Sequence, residues 1–110
     1  MACYMIRAKF SQDAVKKLIA KPENRKEIVG KALKAAGGKL HDYFFAFGEY
    51  DAVVICEFPS NTDAAAVLMG IMGSGSLSAI NTTPLLTMEE AVEAMGNASQ
   101  LAKLYKAPGA

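Results

Sequence analysis

Two strand-length runs, Leu40 to Phe47 and Ala52 to Phe58, are apolar on both sides, and this limits the fold more than any other feature of the chain. Side chains along a strand alternate between the two faces of a sheet. In the first run Tyr43, Phe45 and Phe47 take one side, while Leu40, Phe44 and Ala46 take the other. In the second, Val53 and Ile55 oppose Val54, Cys56 and Phe58. An antiparallel sheet with one wet face alternates apolar with polar residues, so a sheet built from these runs needs cover on both faces. At about 25 cal/mol per Å2 of apolar area, leaving several such side chains in water forfeits free energy on the scale of a domain's net stability.

The order of elements shows how much cover one copy supplies. Cys3 to Phe10 reads as a strand. Ser11 or Asp13 can cap a helix whose apolar stripe is Val15, Leu18 and Ile19. Pro22 interrupts it, Asn24 followed by Glu27 resembles a capping box that restarts it, and Gly37-Gly38 ends it. Leu40 to Phe47, the turn Gly48-Glu49-Tyr50-Asp51 and Ala52 to Phe58 form an antiparallel hairpin. Ala64 to Met72 reads as a helix, and Ser78 to Thr87 as a fourth strand with Pro84 marking an edge or bulge. Met88 to Tyr105 is a final amphipathic helix, with Met88, Val92, Met95 and Ala102 on one face. This β-α-β-β-α-β order plus a terminal helix is the ferredoxin-like α+β pattern, a four-stranded antiparallel sheet with both crossover helices on one face. The other face is left to the terminal helix, to a second copy, or to both. One helix is thin cover for four strands, so a homo-oligomer with facing sheets, a dimer or larger, is expected.

With 110 residues the chain holds one domain, 1–110. Its 12 Lys+Arg and 11 Asp+Glu leave a net charge of +1, far from the basic balance that a nucleic-acid binder needs. No apolar run approaches the ~20 residues of a membrane helix. Met1 to Arg7 lacks the layout of a secretory signal, so a cytoplasmic location is expected. Cys3 and Cys56 both lie in apolar strand-like runs and read as reduced, buried thiols.

Few residues advertise chemistry. His41 is the only histidine, and no Cys-x-x-Cys or His-x-x-x-His spacing accompanies it, so no metal centre is expected and His41 reads as a surface or hydrogen-bonded residue. Gly70, Gly73 and Gly75 with Ser74 and Ser76 end a helix instead of opening one, which argues for a flexible loop, able to act as a lid, over a phosphate site. Lys16, Lys17, Lys21, Arg25, Lys26, Lys31 and Lys34, interspersed with Glu23 and Glu27, read as a solvated face. Arg7, Asp42 and Glu57 are charges inside strands, and Arg7 and Glu57 become neighbours if the first and third strands pair at the sheet centre. Such a pair lines a polar cavity, fixes the register of an oligomer, or lies at wet strand ends.

The segment Gly48-Glu49-Tyr50-Asp51-Ala52-Val53-Val54-Ile55 resembles the signature of the GYD-domain family, named for a Gly-x-Tyr-Asp-like turn. Gly37-Gly38-Lys39-Leu40, the Pro22 to Arg25 break and Gly73-Ser74-Gly75 extend the similarity over most of Tyr4 to Val92. The resemblance implies a dimeric α/β barrel and carries no common function. Within the turn, Gly48 offers a positive φ, Asp51 can accept from nearby backbone N–H groups, and Tyr50 can lay its ring on neighbouring strands. Those residues serve either turn chemistry and packing or a cleft into which Tyr50 and Asp51 project. The expected site is Arg7, Tyr50, Asp51 and Glu57, binding or transforming a small apolar or aromatic metabolite between sheet and helices without a tightly bound cofactor. No nucleophile–base pair is readable, so catalysis stays open. The alternatives are a non-catalytic ligand-sensing or assembly module, with Gly73 to Ser78 as its moving part, and a purely structural protein.

Overall fold

Caps and glycines divide the chain into eight elements. The computed structural model describes Met1–Ala110 and contains β1 (Ala2–Phe10), α1 (Gln12–Ala20), α2 (Arg25–Ala35), β2 (Lys39–Phe45), β3 (Ala52–Phe58), α3 (Asn61–Gly73), β4 (Leu77–Leu85) and α4 (Met88–Leu101). The Ser11 hydroxyl accepts from the Ala14 N–H at 3.1 Å and starts α1. Asn24 accepts from the Lys26 N–H at 3.0 Å and starts α2, without a return bond from Glu27. The Pro22 break therefore makes two helices in the first crossover. Gly37 ends α2 with φ +77°, a conformation that costs glycine no Cβ strain. At Gly38 the limit is space, because a Cβ there would lie 2.7 Å from the Glu57 carbonyl oxygen.

The sheet is antiparallel with order β2-β3-β1-β4, the ferredoxin-like arrangement. Tyr4, Ile6, Ala8 and Phe10 of β1 and Ala52, Val54, Cys56 and Phe58 of β3 form the buried face. Leu33 of α2 and Ala64 of α3 are buried against it with Val29, Val67 and Leu68 around them, while Val15 and Leu18 of α1 pack on Ala8, Phe10 and Ala52. Tyr4 and Phe58 meet edge to face with centroids 5.9 Å apart, and the Tyr4 hydroxyl donates to Asn61 at the start of α3.

Two expectations about the hairpin change. In β2, Leu40 faces Cys56 and Asp42 faces Ile55, so His41 is an extra residue, a bulge. The bulge resets the alternation, and Leu40 joins Tyr43 against the core instead of opposing it. Phe45 stacks on Phe10 at 6.2 Å on that same face. Phe44, opposite Val53, points the other way, and Phe47 lies beyond the strand, 98% exposed. The second correction concerns Gly48, whose φ is not positive. The β2–β3 connection spans residues 46–51, long enough to turn without a left-handed residue there.

The second face of the sheet carries Met5, Val53 and Ile55 on its two central strands, with Phe44 and Leu85 on the edge strands, and α1, α2 and α3 all pack on the opposite side. The terminal helix does not cover it either. Helix α4 is fixed locally by a full capping box, in which Glu90 N–H donates to the Thr87 hydroxyl at 3.1 Å and Thr87 N–H donates to the Glu90 carboxylate at 3.0 Å. Those bonds hold the Glu90 carboxyl below its ordinary pKa. Every residue of α4 except Ala91 is exposed. The molecule measures 58 × 33 × 22 Å with a radius of gyration of 17.8 Å, well above the ~13 Å of a closed domain of about this length.

Candidate functional site

The sheet separates the polar residues picked out by the sequence from the cavity that the fold creates. On the open face, Arg7 and Glu57 do not meet. Strands β1 and β3 do pair at the sheet centre, but in a register that sets Arg7 against Val53 and Cys3 against Glu57. The two charges are therefore four residues, roughly 13 Å, apart along the strands.

Each charge has its own partners. The Arg7 guanidinium lies 4.8 Å from the Tyr50 ring centroid, a cation–π contact, and reaches Asn81 Oδ1 at 3.3 Å. Asn81 Oδ1 also accepts from the Thr83 hydroxyl at 3.1 Å. Arg7 Nε is buried without a hydrogen-bond partner. At the other end, Glu57 Oε2 and His41 Nε2 are 2.5 Å apart, the bulge having swung His41 towards β3. A bonded histidine on a strand matches one of the two roles expected of it.

Asp51 belongs to neither cluster. Its backbone N–H donates to Ala8 O at 2.8 Å, and its carboxylate accepts from the Phe10 N–H at 3.0 Å. Lys9 Nζ stands 3.8 Å from the second oxygen. The side chain continues the β1–β3 ladder by two residues past the point where β3 begins. It closes the turn from across the sheet, since its acceptor bond goes to β1. Glu49 and Gly48 are exposed in the same turn.

The cavity is on the helix side. A groove of about 520 Å3 runs between α1, the 21–24 linker and Ser76, walled by Phe10, Ala14 and Leu18. Lys17, Lys21, Glu23 and Arg25 form its rim. Phe10, Arg25 and Ser76 are shared with a narrower apolar slot of about 50 Å3 beneath the sheet, where Tyr43, Val29, Leu68 and Ile71 meet. Burial pushes the Tyr43 hydroxyl above its ordinary pKa, against the opposing pull of Arg25, so it is a neutral phenol at physiological pH. Arg25 pairs with Glu23 at 2.9 Å and Lys17 with Asp13 at 3.0 Å, whereas Lys21 has no ion pair.

The loop after α3 borders this groove. The Ser76 carbonyl accepts from the Ser11 N–H at 2.8 Å, Ser74 and Ser76 hydroxyls are 2.7 Å apart, and Gly75 has φ +76°. Sequence patterns miss Phe10, Leu18, Arg25 and Tyr43 as a set because four separate elements contribute them. The one local signal is Pro22, which breaks the helix and opens the gap.

The family model described as GYD domain matches residues 4–95. The chain belongs to the GYD-domain family. The match takes in the Gly48–Asp51 turn, both helices of the first crossover and the first half of α4. No protein with a curated description matches the sequence. Among solved structures, MtbAldR (Rv2779c) is similar at 14% identity and a TM-score of 0.57, over 78% of this chain and 53% of that one. This GYD-domain chain thus spans about half the length of MtbAldR, and at that identity the likeness is one of fold. Hypothetical protein PHS023 of Pyrococcus horikoshii aligns at 17% identity and a TM-score of 0.48, over 79% of this chain and 92% of that one. Protein Atu4242 of Agrobacterium tumefaciens aligns at 18% identity and a TM-score of 0.48, over 78% and 92%. No helix of this GYD-domain protein is long and apolar enough to cross a membrane.

Proposed function

We propose that this GYD-domain protein is a homodimer that binds a small apolar or aromatic compound bearing an anionic group, in the groove beside α1 and without a tightly bound cofactor. The groove carries the reading. Its volume of about 520 Å3 lies in the ordinary range of ligand pockets, its walls are apolar, and three cations against one carboxylate line it. The ring of such a ligand packs on Phe10 and Leu18. Its anionic group faces Lys21 and Arg25, with the protonated Tyr43 hydroxyl as a donor deeper in the slot. No nucleophile paired with a base lines the groove, which favours binding, and sensing through the Ser76 loop, over turnover.

Dimerisation through the open face gives the other polar clusters a role. An apolar centre of Met5, Val53 and Ile55 lies between Arg7–Tyr50–Asn81 at one end and His41–Glu57 at the other. Polar groups at the ends of an apolar patch penalise shifted pairings and so set the register between two sheets. On this reading Arg7, Tyr50 and Glu57 serve assembly and Asp51 serves the hairpin.

Calorimetric titration with small aromatic carboxylates and their neutral amides tests the binding site. Carboxylates are expected to bind at least tenfold more tightly than the amides, and Leu18→Trp, which fills the groove, is expected to abolish binding. Equal affinity of acid and amide, or binding unchanged in Leu18→Trp, refutes the assignment.

A further inference from the structure

We infer that Glu23 sets which anions the groove accepts: by holding Arg25 it leaves one uncompensated positive charge at the rim, which admits a monoanionic ligand and turns a dianion away. The inference rests on the binding site proposed above and names the charge of its ligand. Four ionisable side chains line the rim, Lys17, Lys21, Glu23 and Arg25. Lys17 is paired with Asp13 at 3.0 Å and Arg25 with Glu23 at 2.9 Å, while Lys21 has no ion pair. The slot behind the groove adds no further charge, since its polar side chains besides Arg25 are the neutral phenol of Tyr43 and the hydroxyl of Ser76.

The backbone keeps Glu23 in this place. The Lys21 N–H donates to Lys17 O at 2.9 Å and ends α1, and Asn24 accepts from the Lys26 N–H at 3.0 Å and starts α2. Only Pro22 and Glu23 lie between those two anchored points, and the proline ring fixes its own φ. Glu23 therefore has little freedom to leave the rim. Arg25 lines both the groove and the slot, so it is the cation that a ligand's anionic group meets at their junction. Its side chain is 27% exposed and that of Glu23 is 43% exposed, which leaves the pair partly shielded yet open to a competing carboxylate.

Charge then decides between ligands. Lys21 compensates one negative charge brought into the groove, and a second finds Arg25 already taken and Glu23 beside it as a like charge. Specificity of this kind comes from a repulsive element placed among attractive ones. Two like charges a few ångströms apart near a surface lower affinity by roughly fivefold to tenfold, and salt screens the effect. Replacing Glu23 by glutamine removes the repulsion and frees Arg25, so the rim then holds two uncompensated cations.

The test is calorimetric titration of the full chain with phthalate and with monomethyl phthalate, which share a ring and nearly the same bulk but differ by one charge. The parent is expected to bind the monoester at least fivefold more tightly, and Glu23→Gln is expected to reverse that preference. Lys21→Gln with Glu23→Gln, which returns the rim to a single free cation, is expected to restore it. These preferences are expected to shrink in about 1 M sodium chloride, where the screening length is ~3 Å. A parent that binds both probes alike, a preference unchanged in Glu23→Gln, or a double variant that still favours phthalate overturns the role of Glu23. The groove reading survives that outcome where carboxylates still bind more tightly than their amides and Leu18→Trp still abolishes binding. If neither probe binds the parent or Glu23→Gln, the groove reading falls and this inference with it.

Discussion

Replacing Asp51 by alanine removes the acceptor of the Phe10 N–H, a 3.0 Å bond to a carboxylate whose side chain is only 15% exposed. A hydrogen bond to a charged group contributes about 1.5–3 kcal/mol, and the Phe10 N–H left behind lies in a segment with no other acceptor at the end of the ladder. The Lys9 contact, 3.8 Å long with the lysine half exposed, adds less than about 1 kcal/mol. Asp51→Ala should therefore cost about 2–3 kcal/mol, which for a domain near this size lowers Tm by roughly 10–15 °C. Asp51→Asn keeps an acceptor and loses the charge, so about half that loss is expected. Urea unfolding followed by circular dichroism, at fixed protein concentration because the chain is read as a dimer, measures both. If Asp51→Ala stays within about 0.5 kcal/mol of the parent, the motif is not a hairpin clamp. If it gains stability while losing ligand, Asp51 is a functional residue held at a cost to the fold.

Three further outcomes follow from the same structure. Deleting His41 removes the bulge and leaves Leu40, Asp42 and Tyr43 in regular alternation, so this variant should fold with a loss of about 1–2 kcal/mol, the Glu57 contact included. Deleting both His41 and Asp42 turns Tyr43 and Phe45 to the wrong face and should abolish cooperative unfolding by circular dichroism; equal tolerance of both deletions refutes the register. Burial, with Cys3 and Glu57 nearby, pushes the Cys56 thiol from 9.0 to about 11. The neutral thiol is the form the fold favours, so its contribution is complete below pH 9 and is lost as pH rises through about 11. The loss amounts to about 2–3 kcal/mol, and Cys56→Ala should show a flatter alkaline limb in urea titrations; matching limbs would refute it. In thiol-reagent assays at neutral pH, Cys56 should wait for unfolding, and its reaction in the folded protein would contradict its burial.

The fold was legible because its signals are local. Ser11, Asn24, the Pro22 break and Gly37 mark element ends through interactions within a few residues, and the β3 alternation of Val53 and Ile55 against Val54, Cys56 and Phe58 survives intact. Register is different in kind. Whether Arg7 meets Glu57 depends on cross-strand alignment that no single strand encodes, and one bulged residue at His41 reverses the face assigned to Leu40. The groove is harder still to read, since Phe10, Leu18, Arg25 and Ser76 come together only after the Pro22 break and the α3 loop are placed on the sheet edge.

The open face settles into a narrower form than an unbroken apolar layer. Moving Leu40, Tyr43 and Phe45 onto the helix side leaves Phe44 as the only aromatic of β2 on the other. What remains there is an apolar centre flanked by charged and polar residues, Arg7 with Asn81 and Glu57 with His41, each already bonded to a neighbour. Such a surface carries more apolar area than a sheet meant to face water. On the proposed dimer, the polar ends of the sheet penalise shifted pairings and set the register.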